Sequence, residues 1–440
     1  MAVPWATIKR RIVALTHHLA GVAALAAYWM AYRLAGSKPT RPKPVGKVRV
    51  AMVSFVGVKS DNRIQRSARV LADAGYGVTM LTPRDVDAGW EPAGAKWTRG
   101  IDFIKAGKSV SFVLFPRLFD LAMYRQLVAL DADVVHCHDL PVALMGLLAA
   151  RRTGAKLFAD FHEWGAESGK LDSGGTRFVG HRGPSRWLLR LAEGDVCRDA
   201  DVVSTVTASL TEAIPESHGC DRRPILLRNT PSVEQDPSPH ESIRRALNVT
   251  PDLVLFVFQG LLGPMRNIER VIEALPAVPK AAFAIRGVWH DIYGPGYLSV
   301  AAAAAAGVRE RVFVVPPVPS SRVVAALEGA DVAVVTVKTF SKSVWFGLGN
   351  KVLEALAAGK PMILNDSPEN RRLVEAYGIG TLFDPDDPAS IAAAMRRFTD
   401  DPGFRARCAA NAARAWIDLD LAREWEKLPQ AYRTLWETQA

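Results

Sequence analysis

The stretch KVRVAMVSF (47–55), followed by DNRIQRSARVLADAGYGVTML (61–81), decides the fold. The first run has the length and apolar content of a strand. In the second, Ile64, Ala68 and Leu71 recur at helical spacing, Gly75 stops the helix, and a second strand follows. A strand, a crossover helix and a second strand make a βαβ unit, so the two strands are expected to be parallel. Working outward, the alternation returns in ADVVHCHD (132–139), PVALMGLLAARRTGA (141–155), KLFADFHEW (156–164) and ADVVSTVT (200–207). The first half therefore reads as a mostly parallel sheet wrapped by helices. Between these, IDFIKAGKSVSFVLFPRLFDLAMYR (101–125) sets Phe103, Phe112, Phe115 and Phe119 beside Lys105, Lys108, Arg117 and Arg125. It reads as a helix packed on the sheet with solvated cations, or as a segment resting on a membrane face. The glycine-rich, basic ESGKLDSGGTRFVGHRGPSR (167–186) reads as a long loop.

NTPSVEQDPSPHES (229–242) has the composition of a linker. Beyond it a second alternating series begins with LVLFVFQG (253–260), NIERVIEAL (267–275) and AAFAIRG (281–287). An alanine-rich helix ending at Gly307, RVFVVPP (311–317), a helical SSRVVAALEGA (320–330) and DVAVVTV (331–337) continue it. The expected class is α/β, with two doubly wound, Rossmann-like domains facing across a cleft at the carboxyl ends of their sheets. The domains are read as 47–230 and 241–400, with 1–46 as anchor and tether and 401–440 as helices packing back across the junction.

At 440 residues the chain is too long for one core, and its 49% hydrophobic and 23% charged content is that of a globular protein. The net charge of +10 favours anionic partners, yet no nucleic-acid motif is present, which points away from nucleic acid. Cys137, Cys197, Cys220 and Cys408 lack paired spacing, as in a reducing compartment. From Ile12 to Tyr32 only His17 and His18 are strongly polar, a length of about 30 Å if helical. Cations flank it on both sides, with the larger cluster (Arg33, Lys38, Arg41, Lys43, Lys47) following. The segment reads as a membrane anchor that keeps the body on the cytoplasmic face of the inner membrane, with a surface helix or a cleaved signal as alternatives.

VWFGLGNKVLEALAAGKPMIL (344–364) carries the chemistry. Gly347 and Gly349 are expected to permit a tight turn, a helix begins near Asn350 with Val352, Leu353, Leu356 and Ala357 as its apolar stripe, and Gly359 and Pro361 end it. Glu354 then sits one turn inside a helix whose bare N–H groups and dipole favour phosphate. An ordinary helix start is the plainer alternative.

Together these motifs resemble the retaining family-4 glycosyltransferases of the GT-B fold. The resemblance runs from Lys47 to the C-terminal helices through SDNRIQRSARVLADAGYGV, DADVVHCHDLPVALMGLLAARRTGAKLFADFHE, FQGLLGPMRNIERVIEAL, GNKVLEALAAGKP and GIGTLFDPDDPASIAAAM. It implies transfer of a sugar from a UDP- or GDP-sugar held by the C-terminal domain, with no cofactor and no catalytic metal. Glu354 matches the carboxylate that bonds the donor ribose, and the backbone of Leu348, Gly349, Asn350 and Lys351 would cradle the diphosphate. Arg266, in the loop with Gly260 and Gly263, would neutralise the leaving diphosphate. His162 of DFHEW would face the donor sugar, with Asp160 and Glu163 orienting it or binding acceptor. His138 and Asp139 would line the acceptor side, and Asp61, Arg63 and Arg66 resemble a loop that could meet an acceptor phosphate. A helix-capping Asp61 with solvated arginines is the alternative. The paired His136 and His138 on one strand face have a metal-like spacing without further ligands nearby in sequence.

Two departures stand out. Phe346 replaces a sugar-binding Glu of many relatives, as in a subgroup with a "PNK…E" turn, and Leu261 follows Gly260 where relatives carry arginine. The anchor and the basic-aromatic stretch favour a polyprenyl-diphosphate-linked glycan as acceptor, in envelope or exopolysaccharide assembly. A catalytically silent scaffold of a membrane glycan complex is the alternative reading. A dinucleotide enzyme is weaker, because no GxGxxG follows either opening strand.

Overall fold

The structure is a computed structural model. It describes residues 36–55, 58, 61–82, 99–105, 121–171, 178–181, 183–231, 241–287, 301 and 304–437, together with 19, 22, 23, 26, 27 and 29–34. The chain divides into two compact units, one of Met1–Ser168, His181–Leu227 and Trp425–Ala440, the other of Gly169–Gly180 and Arg228–Glu424.

The first unit holds strands β1 (Arg49–Val53), β2 (Gly77–Thr82), β3 (Asp102–Lys105), β4 (Val134–His138) and β5 (Lys156–Phe161). After a hairpin of β6 (Gly169–Leu171) and β7 (Phe178–Gly180), which belongs to the second unit, β8 (Val202–Thr205) and β9 (Ile225–Leu226) complete its sheet. The order is β3-β2-β1-β4-β5-β8-β9, and every pairing is parallel. β4 and β5 are buried along their whole length, as expected for strands covered by helices on both faces. Helix α1 (Asn62–Asp73) starts where the Asp61 carboxylate accepts the N–H groups of Arg63 and Ile64. It ends before Gly75, at φ +91°, and buries Ile64, Ala68 and Leu71 against Met52, Met80 and Phe158. Helices α2 (Leu121–Ala129), α3 (Leu140–Thr153), α4 (Gly183–Asp199) and α5 (Ala208–His218) follow in the same unit.

The second unit repeats the plan with β10 (Val254–Gln259), α6 (Ile268–Ala274), β11 (Ala281–Arg286), β12 (Val312–Val315), β13 (Val332–Val335) and α7 (Asn350–Ala357). β14 (Met362–Asn365), α8 (Pro368–Tyr377), β15 (Gly380–Phe383), α9 (Pro388–Asp400) and α10 (Pro402–Asp418) complete it. Its sheet runs β12-β11-β10-β13-β14-β15, again all parallel. In each sheet the first strand of the unit, β1 or β10, is flanked by strands from opposite directions of winding. Ligands bind at the carboxyl end of such switch points. The last helix, α11 (Lys427–Thr434), returns to the first unit, where Leu428 and Tyr432 join the core of Met52 and Phe158.

Several expectations are corrected. Of the expected span, 12–18, 20, 21, 24, 25 and 28 lie outside the described residues; among the described residues no helix is long and apolar enough to cross a membrane. Trp29, Tyr32 and Arg33 are engaged by protein instead. Tyr32 is 2% exposed and its hydroxyl donates to Asp199, while Trp29 Nε1 and Arg33 Nη2 donate to Asp195 at 3.0 and 2.8 Å. Polar hooks onto the α4 carboxylates, and a ring over which Arg151 stacks at 3.9 Å, place the Trp29–Tyr32–Arg33 face on protein. The placement at the inner face of a membrane is withdrawn on these grounds. Of the basic-aromatic stretch, 102–105 form β3 and 121–129 begin a helix, while Phe112, Phe115 and Phe119 lie outside the described residues. The expected loop at 167–186 contains the antiparallel β6–β7 hairpin, in which Gly169 pairs with Gly180 beneath the Phe178 ring. The expected helix at 320–330 is two short 3₁₀ turns, Ser320–Arg322 and Ala325–Leu327, joined through Val323 and Val324. The alanine-rich helix before Gly307 lies mostly outside the described residues.

Candidate functional site

In the second unit, the carboxyl end of β10 is a polar stop to an apolar strand. Gln259, 6% exposed, donates Nε2 to Glu354 Oε2 at 2.9 Å and to the Val323 carbonyl at 2.7 Å. This ties Glu354 of α7 to the strand end. Oε1 of Gln259 is buried with no hydrogen-bond partner among the described residues, an acceptor held ready for a donor. Gly260 follows at φ +137°, in the left-handed region, and a Cβ there would lie 2.4 Å from Lys351 Nζ. Gly287, at the end of β11, is equally constrained, since its Cβ would meet the Gly260 carbonyl oxygen at 2.0 Å. The chain then turns through Gly263 into the 3₁₀ turn Pro264–Arg266. That turn is pinned on both sides. Lys338 donates its backbone N–H to the Met265 carbonyl at 2.9 Å, and the Asn267 amide donates to the Pro385 carbonyl and to Asp386 Oδ1.

Helix α7 begins beside this turn with Gly349 as its N-cap and no side-chain cap bond, so the first N–H groups stay open. Gly349 has φ −66°, the value proline adopts, and neither it nor Gly347 has a positive φ. The expected need for glycine flexibility in this turn is therefore corrected. Gly359, just past the helix, is at φ +60° as its role as a stop requires. Leu348 packs on the core with Val352, Leu353 and Leu356, while Asn350 Oδ1 accepts from Asn229 Nδ2 at 3.3 Å. Burial, and next the Arg266 guanidinium, bring the Lys351 ammonium down to about 7, although Glu354 pulls it upward. Burial raises the Glu354 carboxyl against the opposing pull of Lys351 and Gln259. Leu261 is 39% exposed, and Phe346 caps the short helical turn Lys342–Trp345.

In the first unit the hub is Asp160, at the end of β5 and 0% exposed. Arg63 Nε and Nη2 donate to its two oxygens at 2.9 and 2.6 Å, and Ser204 Oγ donates at 2.6 Å. His138 Nδ1 and His162 Nε2 lie 3.3 and 3.2 Å from Oδ2 and 3.0 Å from each other. Burial works against the Asp160 charge, but Arg63 and the two imidazoles outweigh it and hold the carboxyl well below its usual range. Asp139 has φ +71°, a conformation costly for a non-glycine residue, and its carboxylate does not cap α3. It accepts the backbone N–H of His162 at 2.8 Å and lies 3.4 Å from His162 Nδ1. Burial opposes a charged His162, yet Asp139 and then Asp160 raise its imidazolium above the ordinary histidine value. Burial lowers His138.

The placement of the expected residues is uneven. Gly260, Gly263, Arg266, Leu348, Gly349, Asn350, Lys351 and Glu354 gather around one strand end. His138, Asp139, Asp160 and His162 gather around another, and Glu163 beside them is exposed. Asp61 is a helix cap. Arg63 is 2% exposed and fully engaged by Asp160 and by the Leu227 carbonyl at 2.9 Å, so its expected contact with an acceptor phosphate is corrected. Arg66 sits over the Trp425 ring at 5.3 Å. His136 is a core residue, stacked on Phe158 at 4.5 Å and bonded through Nδ1 to the Tyr432 hydroxyl at 2.7 Å. His136, His138 and Asp160 have ligand-capable atoms within 4.8 Å of one another. A cation there would compete with a guanidinium for Asp160 oxygens that Arg63, Ser204 and the imidazoles already engage. Gln259, Gly287 and Ser204 escaped the sequence reading. Only Gln259 carried a signal, as a polar residue closing an apolar strand at a carboxyl end.

Residues 60–230 match the glycosyl transferase 4-like domain and residues 239–415 match the glycosyl transferases group 1 family. Sucrose-phosphate synthase from Thermosynechococcus elongatus superposes with a TM-score of 0.69 at 17% identity, over 89% of this chain and 100% of that one. The chain carries the two domains of a GT-B glycosyltransferase. HepE of Anabaena, solved with UDP and glucose, gives a TM-score of 0.65 at 15% identity over 88% of this chain and 100% of its own. In sequence, the chain is 28% identical over 276 residues to a D-inositol 3-phosphate glycosyltransferase of Geodermatophilus obscurus, covering 60% of this chain and 58% of the relative. It is 25% identical over 393 residues to a glycogen synthase of Mycobacterium tuberculosis, covering 84% of this chain and 88% of the relative.

Proposed function

We propose that the chain transfers a sugar from a nucleotide-sugar donor, a UDP-sugar first, to a hydroxyl of a sugar or polyol acceptor, with retention of anomeric configuration and without a catalytic metal. One observation carries this reading: Arg266, the uncapped start of α7 and the Gln259–Glu354 pair converge at the carboxyl end of β10. Open N–H groups and a cation suit a diphosphate, and a carboxylate one turn further along suits ribose hydroxyls. The solved HepE structure with UDP supports that donor class. In the proposed step the bond from the anomeric carbon to the diphosphate oxygen breaks, and the acceptor oxygen bonds the same face of that carbon. The acceptor's proton passes to the departing phosphate oxygen. Negative charge grows on the diphosphate as it leaves, so Arg266 stabilises the transition state more than the bound donor. His162, an imidazolium whose two N–H groups are directed at Asp139 and Asp160, is proposed to act on the transferred sugar through its positive charge.

Withdrawal of the N-terminal span removes the main support for a lipid-linked glycan acceptor. Relatives named for D-inositol 3-phosphate bring a small polyol phosphate forward instead. The test is a thermal-shift screen with UDP-, GDP- and ADP-sugars, followed by turnover with the donor that binds and a panel holding D-inositol 3-phosphate and polyprenyl-diphosphate glycans. Stabilisation by one donor, lost in Glu354→Ala, and a glycosylated product are expected. No stabilisation and no product with any donor would overturn the reading. Binding without turnover would favour the scaffold alternative suggested by Phe346 and Leu261.

A further inference from the structure

Lys351 is the second residue of α7, and its side chain turns back from the helix to cover the end of β10. The ammonium occupies the space above Gly260, where any Cβ would lie 2.4 Å from Nζ and 2.5 Å from Cε. Nζ stands 5.2 Å from the centre of the Phe258 ring. Among the described residues it has no hydrogen-bond or ion-pair partner. The nearest carboxylate in its own helix, Glu354, is bonded to Gln259. The charged groups facing Lys351 are Arg266, from the turn after β10, and Glu354.

A half-buried ammonium beside a guanidinium, without a carboxylate in contact, is unfavourable in the empty protein. An anion on the open N–H groups of α7 would reverse that balance. We infer that the Lys351 side chain, and not its backbone N–H alone, is a phosphate-binding cation of this site, and that the donor's diphosphate arrives together with a proton taken up there. The inference rests on the nucleotide-sugar reading and adds to it a residue role and a pH dependence. Burial and Arg266 leave Lys351 near about 7 when the site is empty, so above that pH the empty site is largely neutral at this position. A bound diphosphate favours the charged form, so uptake should grow as pH rises past 7, and affinity should fall in step. Gly260 has the matching role: only a residue without Cβ leaves room for the ammonium on the strand end.

The experiment is calorimetric titration of UDP into the full chain at pH 8.0, where UDP's own phosphates are ionised, in two buffers of different ionisation enthalpy. Net proton uptake on UDP binding is expected, because a group brought down to about 7 is largely neutral at that pH. Lys351→Met and Lys351→Gln should abolish the uptake and weaken UDP at pH 6.5 by about 10- to 100-fold, the worth of one charge-assisted contact. Binding with no proton uptake, or with uptake and affinity unchanged in both variants, would overturn this inference alone. No binding of UDP, GDP or ADP to the unaltered protein would overturn the donor reading and this inference with it.

Discussion

Asp160→Asn is the substitution whose consequence the structure specifies most fully. Asp160 is 0% exposed and Arg63 2%, and Arg63 donates to it through Nε at 2.9 Å and Nη2 at 2.6 Å. With the carboxylate charge gone, the guanidinium keeps the Leu227 carbonyl at 2.9 Å, the Trp425 ring at 5.2 Å and at most one neutral amide oxygen of the introduced asparagine. Leaving one charge of a buried pair uncompensated costs about 3–5 kcal/mol. For a protein of this size each kcal/mol moves the midpoint by roughly 2–4 °C, so a fall of about 10 °C is expected at pH 7. The second arm is Arg63→Met with Asp160→Asn, which removes the stranded charge and fills its volume with an apolar chain. It should recover about 2 kcal/mol or more relative to Asp160→Asn alone. Urea and thermal unfolding of the full chain followed by circular dichroism measure both. A single variant that melts within 2 °C of the parent, or a double variant no better than the single, would refute the reasoning.

Three further outcomes follow from the same geometry. Asp139→Asn removes the largest influence raising His162, so the His162 imidazole, followed by NMR, should titrate at lower pH than in the parent; an unmoved titration would contradict the contact. The sign for activity is then fixed: if the charged His162 is the working form, turnover declines as pH rises through its raised pKa, and Asp139→Asn shifts that decline to lower pH. Gly287→Ala would bring a Cβ to 2.0 Å from the Gly260 backbone oxygen, so the strand end must shift; a loss of about 1–3 kcal/mol and of nucleotide binding is expected, read by thermal shift with and without UDP. Gln259→Leu should leave Glu354 without its 2.9 Å donor and weaken nucleoside diphosphate binding by about tenfold, measured by calorimetry.

Periodicity made the two doubly wound sheets legible, because parallel strands buried on both faces and helices with one apolar stripe leave opposite signatures in a chain. β10, VLFVFQ, reads as buried at every position, and it is. The cluster at the end of β10 was legible as a cluster because its residues sit in two short motifs, at a strand end and at a helix start. What failed depended on distance along the chain. Nothing local marks Arg63 as the partner of Asp160, 97 positions away, so a buried ion pair read as an acceptor-phosphate contact or a solvated arginine. The N-terminal apolar run was misleading for a related reason: hydropathy records which side chains avoid water, not whether Tyr32 and Trp29 find Asp199 and Asp195 to bond. The glycine-rich 167–186 stretch likewise concealed a hairpin, since Gly169 and Gly180 pair only once Phe178 covers them.

A crystal structure of the full chain with UDP bears most directly on the central claim, that a nucleoside diphosphate docks where α7 begins. The account predicts phosphate oxygens against the N–H groups of Asn350 and Lys351, with Arg266 in contact and both ribose hydroxyls on Glu354. UDP bound elsewhere, or with its ribose out of hydrogen-bond reach of Glu354, would contradict it.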